Sequence, residues 1–153
     1  MGQDSQLIFS DEQIIVANAT TVASTNVVDL GAVYDHKGTI LKAFGPEHGR
    51  DRLIVSIGVQ PTAGTAIYLE LQDCATVDGT YKPVGIGIDS ANAIPIATLV
   101  VGYEILNIPL PRGLREFLRI LYTTTGNWTG SVGTFNARIE SGATSKDQTP
   151  YRG

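Results

Sequence analysis

Residues 103–126, YEILNIPLPRGLREFLRILYTTTG, are the densest run of apolar and β-branched residues in the chain, broken once by Pro111, Arg112 and Gly113. A run of this kind has to become paired strands or a buried helix, and its period decides which. Before the break Leu106, Ile108 and Leu110 alternate with Ile105, Asn107 and Pro109. After it Leu118, Ile120 and Tyr122 alternate with Arg119, Leu121 and Thr123. Period two puts each set on one face of a strand. Pro111 pre-sets φ for the second position of a type I turn, and Gly113 suits the fourth. The pattern predicts a half-buried hairpin turning at Pro111, Arg112 and Gly113.

A helix is the rival. Leu114, Phe117, Leu118 and Leu121 recur at i, i+3, i+4 and i+7, with Arg115, Glu116 and Arg119 opposite them, an amphipathic pattern. The run continues into Tyr122 and then Thr123, Thr124 and Thr125, a triplet whose branched Cβ atoms favour strand and which supplies no helix C-cap. Strand is therefore the reading taken.

The same alternation recurs along the chain. Leu53, Val55, Ile57 and Val59 oppose Ser56, Gly58 and Gln60; after a turn at residues 61–64, Ile67, Leu69 and Leu71 oppose Tyr68, Glu70 and Gln72. These two segments predict a second hairpin. Pro83 and Pro95 cannot donate to a ladder, which places residues 81–88 and 94–101 at sheet edges. Phe135, Ala137 and Ile139 form the inward set of a last strand. With short strands near residues 13–17 and 39–44, the count is roughly eight antiparallel strands and no convincing helix. That is the signature of an all-β, jelly-roll-like β-sandwich. The 153 residues make one domain, able to bury about 70% of its unfolded surface without a staple. An N-terminal arm is expected over about residues 1–9, a long charged loop over 34–52 and a polar tail over about 141–153.

The chemistry that this sequence offers is sparse. Cys74 is the only cysteine, so it reads as a small apolar filler. A net charge of −4 with Lys and Arg scattered singly leaves no basic stripe for nucleic acid. No apolar run approaches the 18 or so residues that a membrane helix needs, and the polar start with Asp4 lacks the form of a signal peptide. The expectation is a chain made and used in solution. His36 and His48 each stand beside a carboxylate, Asp35 and Glu47. Sequence neighbours on an extended chain diverge and no third ligand converges, which leaves neither a metal site nor a cupin. No serine or cysteine sits in a nucleophile elbow. Gly85 and Gly87 resemble half a phosphate loop but lack its strand-to-helix context; glycines on an edge strand, where another backbone comes close, are the plainer reading. No enzyme activity and no cofactor are expected. Asn18 and Asn127 begin glycosylation sequons, read as chance matches without a secretory signal. Trp128, in a Gly-flanked turn, either packs over the open end of the sandwich or stacks on a sugar ring or protein partner. The second possibility motivates an alternative function, a carbohydrate-binding β-sandwich of a phage tail or cell surface.

Several ordered segments carry a resemblance. Gln6-Leu7-Ile8-Phe9-Ser10-Asp11 with Gln13, then STNVVDLG at residues 24–31, then Ile94-Pro95-Ile96-Ala97, then LPRGLREFLRILYTTTG, together resemble the small capsid cement, or decoration, proteins of tailed bacteriophages of the Bordetella-phage type. The resemblance implies a jelly-roll-like domain on the outer surface of an icosahedral virion, made in the bacterial host cytoplasm. It implies a major capsid protein of HK97-like fold as partner, and a homodimer, or a trimer, bridging neighbouring subunits. Residues 34–52 and 141–153 depart from the family pattern. Candidate partner-binding patches are Leu7, Ile8 and Phe9, the turn at Trp128, and Tyr151 with Arg152.

Overall fold

The computed structural model of the 153-residue chain describes residues 7–16, 18–30, 33–34, 40–41, 51–111 and 113–140. Its strands are β1 (Ile8–Ile14), β2 (Thr21–Ala23), β3 (Val28–Asp29), β4 (Val33–Tyr34), β5 (Ile40–Leu41), β6 (Arg52–Val59), β7 (Ala66–Cys74), β8 (Lys82–Ile88), β9 (Ile94–Pro95), β10 (Glu104–Pro109), β11 (Phe117–Thr125) and β12 (Thr134–Glu140). Single 3-10 turns at Ser90–Asn92 and Ile96–Thr98 are the only helical elements of three residues or more among the described residues. No helix there is long and apolar enough to cross a membrane.

Two antiparallel sheets form the sandwich. One has the order β1-β12-β6-β10; the other has β2-β11-β7-β8, with β3 also on β11 and β9 also on β7. Among the described residues β4 and β5 pair only with each other. β2 and β3 are two pieces of one strand position along β11, joined through Ser24, whose backbone N–H donates to the Ile120 carbonyl at 2.7 Å. Taking those pieces together gives eight positions paired first with last: β1 with β12, β2 and β3 with β11, β6 with β10, β7 with β8. A long ribbon folded in half and wrapped into two sheets is a jelly roll.

The expected inward sets line the core, except that Val59 is exposed, beyond a register shift of β6 against β12. Leu118, Ile120 and Tyr122 are fully buried, as are Leu53, Val55, Phe135 and Ala137, and each large aliphatic among them contributes about 1.5–3 kcal/mol. Across the sandwich the Tyr122 and Phe135 rings lie 5.6 Å apart. The Tyr122 hydroxyl meets Ser10 Oγ at 2.9 Å, so the buried polar tip is satisfied. Pro83 and Pro95 do sit on edge strands.

Both expected hairpins are corrected. β10 belongs to the sheet of β6, whereas β11 belongs to the sheet of β7; likewise β6 and β7 lie in different sheets. Residues 110–116 therefore form an arch between sheets, not a tight turn. The arch is anchored at both feet: Leu110 N–H donates to the Asp51 carbonyl at 3.1 Å, and Arg115 N–H to Asp73 Oδ2 at 3.0 Å. Leu110 and Leu114 are buried beneath it. Pro111 is half-buried and Gly113 takes φ +79°, while Arg112 lies outside the described residues. The arm is corrected too where it is described, because Leu7 and Phe9 are buried and Ile8 begins β1, paired with Arg138.

Candidate interaction surface

The jelly-roll path sorts the connections into two ends. β1, β6 and β8 finish, and β7, β10 and β12 begin, at the same end. The connections there are residues 15–20, 60–65, 89–103 and 126–133. Together they hold one charged residue, Asp89, whose Oδ1 accepts from Asn92 N–H at 3.1 Å and from its Nδ2 at 2.8 Å. Among the described residues the opposite connections hold four charged residues, Asp51, Asp78, Arg115 and Glu116. One end is almost free of charge and the other is rich in it.

The uncharged end also exposes aliphatic side chains. Among the described residues Ile14, Val16, Val27, Val59, Val77, Val100, Val101 and Val132 are the exposed large hydrophobics. All except Val27 and Val77 lie at this end. Ile14, Thr134 and Val59 sit side by side across three strands; Ile15 and Phe135, the next residues after the first two, are buried, and Val59 is exposed where the register of β6 against β12 shifts between Ile57 and Val59. Thr134 Oγ1 is buried in this row without a hydrogen-bond partner. Val101 is the most exposed, at 68%, and the next residue, Gly102, donates its N–H to the Ile57 carbonyl at 2.9 Å. Scattered exposed aliphatics are ordinary, but a cluster marks a contact surface.

Trp128 holds this end rigid. Its indole is fully buried, with Nε1 donating to the Thr125 carbonyl at 2.9 Å and the ring centroid 6.3 Å from that of Phe135. Its backbone N–H donates to Asn18 Oδ1 at 2.6 Å, and Asn18 Nδ2 donates to Thr129 Oγ1 at 2.8 Å. These bonds tie residues 126–133 to residues 15–20. Gly64, at φ +109°, lies so close beneath the indole that any Cβ would overlap it.

The charged end is knit differently. Arg115 grips Asp73 through Nε at 3.0 Å and Nη2 at 2.7 Å, and this contact raises the pKa of the guanidinium further. Arg119 lies over the Tyr81 ring at 4.4 Å and donates to Gln72 Oε1 at 2.8 Å. A shallow groove of about 420 Å³ runs along β8, past Glu70, Gly85, Gly87, Asp89 and Asn92. Its two carboxylates are already engaged, Glu70 by Gln72 Nε2 at 2.6 Å and Asp89 by Asn92.

Of the residues expected to contact a partner, Leu7, Phe9 and Trp128 are inside the protein and Ile8 is half-buried. Apolar character marked them, and the core claimed them. The indole that suggested sugar stacking has no exposed face. Tyr151 and Arg152, like His36 and His48, lie outside the described residues. Among the described residues no three His, Cys, Asp or Glu side chains gather as a metal site. The exposed aliphatics were not anticipated. Their signal was present as four uncharged stretches, residues 13–28, 53–69, 90–103 and 120–137, which cover the connections at this end apart from Asp89. In comparison with known proteins, no family model and no curated protein matches the chain.

Proposed function

We propose that the chain is a decoration protein that cements the outer surface of an icosahedral phage shell by bridging neighbouring capsid subunits. The observation that carries this reading is the sorting of the connections: a rigid jelly roll offers one uncharged aliphatic end and one charged end. A bridge needs two contact surfaces held at a fixed separation, and a wrapped eight-stranded frame supplies them without a moving part. The resemblance of the ordered segments to cement proteins supports the same role. No catalysis is required of such a protein. Modest contacts repeated by symmetry over a shell add up to a large resistance to internal pressure.

Mixing the purified protein with undecorated capsids and sedimenting them tests the proposal. The expected outcome is co-sedimentation at a fixed stoichiometry and a higher temperature of capsid disruption. Capsids that pellet alone, before and after expansion and at low and high salt, would sink it.

A further inference from the structure

The uncharged end has an edge of one sign. Glu12 lies in the half of β1 nearer that end, Asp89 follows β8 and Glu104 opens β10, and all three are exposed. The described basic residues lie in the other half of the molecule. Arg52 and Lys82 open strands that run towards the uncharged end, Arg115 is in the opposite arch, Arg119 is the third residue of β11, and Arg138 is near the close of β12. Among the described residues the aliphatic centre of Ile14, Val59, Val101 and Val132 is thus flanked by carboxylates alone.

We infer that this end docks onto a protein surface with an aliphatic centre and a rim of Lys and Arg. An apolar centre with a complementary polar rim is the anatomy of a specific interface. An unpaired charge placed against the valines would lose water without gaining a partner. The carboxylate rim then selects among apolar surfaces. A second copy, apposed end to end, would bring like charges together, and a phosphate-rich lipid surface or a nucleic acid would do the same. A basic-rimmed surface gains from every flank. The identity of the partner as the capsid shell rests on the cement reading; the chemistry of the docking end rests on the side chains just named.

The test is quantitative binding of the full chain to undecorated shells across salt, with variants at each end. Val101→Asp and Val132→Asp are expected to weaken binding at least about 30-fold. Both side chains are exposed, so their thermal unfolding should match wild type. Glu12→Gln combined with Glu104→Gln is expected to weaken binding several-fold at low salt and to flatten its salt dependence. Asp78→Asn, which removes a charge at the other contact end, is expected to leave the fold-change caused by the valine and carboxylate variants unaltered when combined with them. Wild-type binding that survives both valine variants overturns the inference and leaves the cement reading standing, as does binding that tightens when the carboxylates are neutralised. Wild type that fails to bind shells removes the reading and its partner together. Two further arms address the other occupants. Dimers in sedimentation velocity that Val101→Asp dissociates, or wild-type binding to phosphatidylserine vesicles that Val101→Asp abolishes, would each overturn the inference.

Discussion

At the scale of single residues, the side chains that appeared most available for recognition are those the fold uses most. Trp128 packs on Phe135, is closely approached by Gly64 and anchors two connections through Asn18. Trp128→Ala is expected to lose about 3–5 kcal/mol of stability, measured by urea unfolding, because the cavity opens where no neighbour can close it. Tyr122 makes a second prediction. Burial is the main cause holding its hydroxyl far above the ordinary tyrosine value, and the bond to Ser10 opposes that rise only in part. Below about pH 10 the residue is protonated in the folded and unfolded chain alike, and its contribution is fully present. Above that pH the unfolded chain ionises first, so stability should fall by up to about 1.4 kcal/mol per pH unit. Thermal unfolding between pH 9 and 11 checks this. Tyr122→Phe should flatten the slope, with a remainder from Tyr81, which is also raised chiefly by burial.

At the scale of elements, β8 shows how an edge strand is held. Gly87, at φ +148°, lies against the Leu69 backbone, where a Cβ would overlap the carbonyl, whereas Gly85, at φ +85°, has nothing within 4 Å. Gly85→Ala should therefore cost about 1–2 kcal/mol for its backbone alone. Gly87→Ala should cost more and should also detach β8 from β7, seen as faster amide exchange at residues 69–72 and 84–88. The close approach at Gly87 was legible in the sequence as an edge-strand glycine pattern. Which residues face inward was legible too, since Leu118, Ile120 and Tyr122 are all buried as their period requires. Partners were not legible. A hairpin and an arch share the same alternation and the same Pro and Gly punctuation; they differ in whether the connecting residues pair the strands or cross the core. Buried Leu110 and Leu114 carry residues 110–116 across, and nothing in the period of β10 or β11 records that.

At the scale of the molecule, the first described strand pairs with the last, Ile8 opposite Arg138 and Ile14 opposite Thr134, and the inner pairs nest within them. Such non-local closure must be assembled before it is rewarded, so refolding by stopped-flow fluorescence of Trp128 is expected to relax over milliseconds to seconds, without a microsecond phase. Sub-millisecond refolding of the whole signal would contradict it. The same nesting explains why the interaction surface was hidden in the sequence: the uncharged stretches are scattered along the chain and become one surface only when the ribbon wraps. It also fixes an attachment geometry. Because β1 opens and β12 closes beside the start of β6, with Glu140 opposite Arg52, both exits of the chain from the frame are neighbours at the charged end. A fluorescent protein or an antigen fused to either exit would then leave the frame on the side away from the valines, making the domain a handle for displaying cargo with its docking end unobstructed.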